Sequence, residues 1–249
     1  HPIHEVMAEE VVAGGEALER KFVESRLNDE WPRSYTQHKV VMESDPDEVV
    51  WPIALYADGV PFQKRDGVLA FYVFNICTGT RHLVVCIRRS QLCRCGCQGW
   101  CSIWSIHNWM LWCFEALARG EMPDKRHDGQ CWTKGDQARQ RDAGHRTIKG
   151  AWVQVKADWA EICHTFAFAQ WNSVNDPCFA CIGTRATLRQ LGEFSAVSSP
   201  VPARTNAHYE EACAKCEIVV RIADRRTHQV ALGNLRWDKR KHGFKGRGL

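Results

Sequence analysis

Two aspartates a hundred positions apart, Asp58 and Asp158, each close a strand-like run. Carboxylates so placed can hold divalent cations, and two cations roughly 4 Å apart clamp the attacking and leaving oxygens of a phosphodiester. Hard oxygen ligands suit Mg²⁺, which keeps several waters and completes its shell from carboxylates and substrate phosphate. Each aspartate also has a structural explanation. Asp58-Gly59 is a turn dipeptide, repeated at Asp66-Gly67 and Asp128-Gly129. Asp158-Trp159-Ala160-Glu161 has the form of a capping box, which would make Asp158 a helix N-cap. Taken singly, either carboxylate is explained by local geometry; the catalytic reading needs the pair.

Thiols are the second source of chemistry. The chain has 13 cysteines, an odd number that cannot all pair within one molecule. Cys178 and Cys181 form one CxxC, and Cys213 and Cys216 another. Four thiolates in two such pairs make a tetrahedral structural zinc site, with Zn–S about 2.3 Å. Cys93, Cys95, Cys97 and Cys101 crowd into a run carrying Gly96 and Gly99, which permit a tight wrap. Zinc is the expectation there too, with His82 or His107 able to replace one thiolate. The alternative is that free cysteine packs as a small hydrophobe, the reading given to Cys77, Cys86, Cys113, Cys131 and Cys163. No signal peptide and no membrane-length apolar run is visible, so reduced thiols in a nuclear or cytoplasmic protein are expected. A Cys–His protease has no recognisable nucleophile setting, and no phosphate-cradling glycine loop, GxSxG or HExxH occurs.

The elements that must position these groups follow from periodicity. Residues 4–29 read as a helical, polar preamble weakened at Gly14-Gly15, and residues 32–48 as a loop with a short strand at Val40-Val41. Three strands follow, Pro52–Asp58, Val68–Ile76 and Leu83–Ile87, the last two joined by a turn at Thr78-Gly79-Thr80. Ile103–Arg119 is a helix apolar on nearly all sides through Phe114, with Gly120 placed to end it. Residues 121–149 form a polar excursion. Ala151–Ala157 alternates as a strand, and helices are expected over Trp159–Phe166 and His208–Ile222. A loop carrying the first CxxC and a Ser/Pro-rich linker at 195–206 separate those helices.

The order strand, strand, strand, helix, strand, helix matches an RNase H-like α/β fold, a mixed sheet whose first and fourth strands are central neighbours. ADGVPF at Asp58, YVFN at Tyr72–Asn75 and WNSVNDPCFAC at Trp171–Cys181 resemble the catalytic region of DDE cut-and-paste transposases of the CACTA (En/Spm) group. CRCGCQGWC and KADWAE are closer still to a dinoflagellate protein family that itself looks transposon-derived. The likeness covers about residues 45–240. It implies DNA as partner and Mg²⁺-dependent cleavage and strand transfer; the cysteine clusters, read as zinc sites from their spacing, would be zinc-binding insertions in that core. It also implies a third acidic residue on a late helix, where Glu210, Glu211 and Glu217 are available and Glu217 is the choice.

The net charge of +4 says little by itself, but Arg236–Leu249 carries six basic residues and one acidic. Arg236, Lys239, Arg240, Lys241 and Lys245 in this tail, with Arg88, Arg89 and Arg94 upstream, are the expected phosphate contacts to DNA, or to RNA. A solvated tail is the plain alternative. The expected divisions are a preamble at 1–48, an RNase H-like core with its cysteine-rich insertion at 49–194, a linker and CxxC helix at 195–235, and the tail. A non-catalytic zinc-containing module that binds nucleic acid or protein is the competing function.

Overall fold

The computed structural model describes residues 1–28, 30–63, 66–94 and 99–158, together with positions 161, 163, 165, 178, 181–184, 186, 205, 207, 208 and 211. The chain divides into two compact units. The first comprises His1–Ser90 and Trp104–Lys156, the second Gln91–Ile103 and Ala157–Leu249.

The first unit is built on a mixed sheet. Strands β1 (Val50–Gln63), β2 (Asp66–Asn75), β3 (Arg81–Arg88) and β4 (Lys149–Ala157) lie in the order β3-β2-β1-β4. β1 with β2 and β2 with β3 are antiparallel, so the parallel pair in this sheet is β1 with β4. The alternation of side chains in strands sets the two faces. Ile53, Leu55 and Ala57 on β1 and Leu69, Phe71 and Val73 on β2 share one face, and all are buried. Ala54, Ala70 and Phe74 on the opposite face are buried as well. β2 is therefore covered on both sides, as its unbroken apolar run requires. β3, at the sheet edge, carries exposed Arg81 and Arg88 at its two ends, charges that discourage pairing with another strand.

Helix α4 (Trp100–Arg119) packs on the face of Phe71. His107 meets the Phe71 ring edge-on at 6.1 Å, Phe114 stacks on Trp152 of β4 at 4.6 Å, and Leu117 lies against Gly150. A Cβ on Gly150 would come within 2.6 Å of Ile53 Cδ1, so this glycine permits the close approach of β4 to the core. His107, Met110, Phe114 and Leu117 recur every three or four residues as one buried stripe. The helix stops at Gly120, whose φ of 68° suits a left-handed C′ position.

The N-terminal segment is a packed layer of the first unit instead of a polar preamble. Helix α1 (Ile3–Leu27) buries Ile3, His4, Met7, Val11, Leu18 and Phe22. It breaks at Gly15, where φ 51° and ψ −148° are non-helical, so the glycine pair interrupts the helix where the sequence reading weakened it. Glu10 accepts from Thr78 and pairs with His82 at 2.6 Å, while Lys21 donates to the Cys77 carbonyl. Both tie α1 to the β2–β3 hairpin. Phe22 sits between Trp31 and Trp51, and burial of a phenyl ring of this kind contributes roughly 1.5–3 kcal/mol. Tyr35 donates to the Val50 carbonyl at 2.7 Å, and burial pushes its phenol up to about 12.

Two other readings are corrected. Residues 33–42 hold two helical turns, α2 (Arg33–Thr36) and α3 (Lys39–Met42), in place of a loop with a strand at Val40-Val41. His38 caps the second by accepting from Val40 N. The excursion 121–148 contains a short helix, α5 (Gln137–Asp142), and is closed at its base by an antiparallel bridge between Glu121 and Arg146.

Candidate functional site

Asp58 lies inside β1 and does not end it. The strand continues five residues further, to Gln63, and Asp58 is paired with Ala70 and Gly59 with Leu69. The turn explanation of Asp58-Gly59 therefore fails, because partner-strand pairing fixes both residues in extended geometry. Asp66-Gly67 is likewise within a strand, and only Asp128-Gly129 makes a turn, with Gly129 at φ 77° and Gln130 N donating to Asp128. Aspartate is depleted inside strands. A half-buried one with no turn to make is a residue kept for another purpose, or tolerated at a cost.

The surroundings of Asp58 come from its own face of the sheet. Tyr56, two residues back, donates its hydroxyl to Asp58 Oδ2 at 3.2 Å. Tyr72 lies opposite Tyr56, with ring centroids 6.0 Å apart, and the Arg81 guanidinium sits 5.1 Å over the Tyr56 ring. Lys156 from β4 stands 5.2 Å over Phe74 on β2. The result is a carboxylate among two phenols, with cations ranged over the neighbouring rings. Such a surface can hold a cation at Asp58 and meet an anionic chain around it. The tyrosines and Arg81 were missed as site residues, although Tyr56, Asp58 and Tyr72 are signalled by period-two alternation once the register is known.

Asp158 is the first residue past β4, as expected from the sequence. Its Oδ1 accepts from the Glu161 backbone at 2.6 Å, so the capping explanation is real. Glu161 is buried and accepts from the Thr165 hydroxyl, and Cys163 is buried beside them in sequence. The proposed third acid, Glu217, lies outside the described residues, as do Cys95, Cys97, Cys213 and Cys216 and the tail residues Arg236, Lys239, Arg240, Lys241 and Lys245. Of the other thiols in the zinc sets, Cys93, Cys178 and Cys181 are half-buried and Cys101 is exposed. The Cys93 backbone accepts from Gly99 N and donates to Ser102 Oγ, turning the chain into α4. Among the described residues no three His, Cys, Asp or Glu side chains gather as a metal-binding group. Cys77, Cys113 and Cys163 are buried as expected, and burial pushes the Cys113 thiol up to about 12. Cys86 and Cys131 are exposed, which corrects the core reading for those two.

Of the upstream arginines, Arg88 gives Nε and Nη2 to Asp66 Oδ2 at 3.1 and 2.9 Å. Asp66 also accepts from Ser90 N, Ser90 Oγ and Gly67 N, and these bonds, the Ser90 hydroxyl foremost, hold its carboxyl down at about 2. Arg88 therefore closes the β2–β3 end as well as presenting charge. Arg89 runs its stem past Gly67, and Arg94 is exposed. No helix among the described residues is long and apolar enough to cross a membrane. The chain matches no family model, no curated protein and no solved structure.

Proposed function

We propose that the chain is an RNase H-like, transposase-derived domain that processes nucleic acid, with Asp58 as the first carboxylate of a Mg²⁺-dependent phosphodiester reaction on DNA. The observation that carries this reading is Asp58 itself, an aspartate in the interior of β1 with no turn to explain it. Two features agree with it. The strand order β3-β2-β1-β4 sets β1 beside the strand that leads into Asp158, and α4 connects β3 to β4. In this reading Asp158 is the second carboxylate, its cap bond engaging Oδ1, and Glu217 the third. The chemistry a bound divalent cation supplies is activation of water or a 3′-hydroxyl and neutralisation of the phosphate. The chain's own part is to fix the Asp58 carboxylate through Tyr56 and to present Arg81 and Lys156 to an anionic backbone. Zinc at the CxxC pairs and at the Cys93–Cys101 run belongs to the same reading as a structural brace.

The test is nicking of supercoiled DNA with Mg²⁺, comparing the parent with Asp58→Ala and Asp158→Ala. Loss of cutting in both is expected. Equal cutting by parent and both variants rejects the reading. The cap bond from Glu161 N to Asp158 favours a second reading, a non-catalytic module that binds DNA or RNA, since it gives Asp158 a structural role. That reading expects salt-sensitive binding that survives both substitutions.

A further inference from the structure

An open groove of about 470 Å³ lies on the first unit, lined by Trp109, Trp112, Trp132, Arg126 and Arg139 among others. Its size falls in the range of small-molecule sites, roughly 300–1,000 Å³. Trp109 and Trp112 are three apart on α4, so they share the side of the helix that the sheet does not use. This accounts for the apolar excess that made α4 look buried all round. Trp132 comes from the excursion, with its ring centroid 6.2 Å from that of Trp112.

The indoles are held by their edges. Trp112 Nε1 donates to the Lys125 carbonyl at 3.2 Å and Trp132 Nε1 to the Pro123 carbonyl at 3.1 Å. His4 packs edge-on against Trp112 at 4.9 Å, and its neutral form is favoured by burial. With the nitrogen edges of Trp112 and Trp132 satisfied, what these two rings offer the groove is π surface. All three are only half-buried. Arg139 lies 5.8 Å over the Trp132 ring and is itself fixed by Glu5, at 2.9 Å from Nη2, and by Asp136. Arg126, also in the lining, is paired with Asp128 at 3.1 Å.

The chemistry of the lining selects among ligands. A quaternary or methylated ammonium would be drawn to three indoles, but two guanidiniums in the same lining oppose it. The one carboxylate of the lining, Asp136, is engaged by the Thr133 hydroxyl and Arg139. Indoles beside arginines suit a flat heteroaromatic ring joined to an anion. The planes of Trp112 and Trp132 are inclined by 59°, so a flat ring can stack on one and meets the other at an angle. We propose that this groove binds a nucleobase with its adjacent phosphate, the base stacking on Trp132 with Trp112 walling its side, and the phosphate meeting Arg126. A single strand and a free nucleotide both carry that unit. The site stands apart from Asp58 and does not depend on its chemistry.

The experiment is fluorescence anisotropy of a short labelled thymidine single strand at low salt, with adenosine monophosphate and a duplex as separate competitors. Binding is expected, weakened at least about fivefold in Trp132→Ala and largely kept in Trp132→Phe, since stacking needs a ring. Arg126→Ala should weaken it and flatten its salt dependence by about one phosphate contact. Competition by adenosine monophosphate at comparable concentration identifies a free nucleotide as the natural source, and weak competition identifies the strand. Nicking is read in Asp58→Ala and groove binding in Trp132→Ala, so this site and the catalytic reading fail separately. Circular dichroism checks that each variant is folded. The proposal is overturned if folded parent binds neither probe, if Trp132→Ala binds equally well, or if duplex displaces the strand more effectively than an unlabelled strand does.

Discussion

Tyr56 donates its hydroxyl to Asp58 Oδ2 across 3.2 Å, two positions along one strand and on one face of the sheet. The bond is local, yet the strand makes it: in a turn at Asp58-Gly59 the two side chains would not be held side by side. It also separates two meanings of Asp58. A carboxylate kept for stability would be embedded in a network, whereas among the described residues this one bonds to a single phenol.

Asp58→Ala is therefore expected to leave the fold intact, with stability within about 1 kcal/mol of the parent by urea denaturation, the value of one modest hydrogen bond. Tyr56→Phe should behave similarly. A loss above about 3 kcal/mol in Asp58→Ala would mark the residue as structural and remove the main support for a phosphodiester reaction.

Asp66 makes the opposite case. Its bonds to Ser90, Arg88 and Gly67 hold the carboxyl at about 2, below its ordinary 3.8. A depressed folded value means the stabilisation is complete above the unfolded value and is lost as the pH falls from about 4 through about 2. Asp66→Asn should be less stable than the parent at neutral pH, and the gap should close across that acid window. A pH-independent gap would contradict the assignment.

Two buried histidines act in the same direction, at milder pH. Burial lowers His4 and His107 from 6.5 to about 4 in the folded chain. The unfolded chain binds protons first as the pH drops, so stability falls between about 6.5 and 4, by up to roughly 3 kcal/mol for each group. His107→Leu should flatten that fall when urea midpoints at neutral and mildly acid pH are compared. An unchanged slope would show that His107 is already protonated or exposed.

The break in α1 depends on a backbone angle that only glycine adopts readily. At Gly15 φ is 51° and ψ −148°, and no atom lies within 4 Å of a Cβ built there. Gly15→Ala should thus cost roughly 1–3 kcal/mol through backbone strain alone, seen as a lowered Tm. A Tm equal to the parent's would mean the helix can straighten through this point.

The strands themselves, the hairpin at Thr78–Thr80 and the stop at Gly120 were legible because period-two alternation and left-handed turn residues are local signals, whereas the place of β4 beside β1 followed only from the order of the elements along the chain. The end of β1 was not. Asp58-Gly59 has turn chemistry, and only the partner strand, which pairs as far as Gln63 with Asp66, overrides it. The turns α2 and α3 lack enough periodic apolar residues to announce themselves. Trp109 and Trp112 could have been grouped by their helical spacing, but Trp132 joins them only through tertiary structure. Capping at Asp158 was written in the sequence because N-cap bonds reach only three residues. Whether that residue also serves chemistry is a property of distant chain, which local pattern does not encode.

At the base of the excursion, Thr147 N donates to Gly120 O, Met122 N to His145 O and Gly144 N to Met122 O, each at 2.9 Å. These bonds fasten the two ends of residues 121–147 to each other before the chain enters β4. The span between α4 and β4 is consequently a drawstring purse: its mouth has a fixed width whatever its contents. Length and side chains inside can change, and with them what the tryptophans grip, while the sheet that carries Asp58 keeps its geometry.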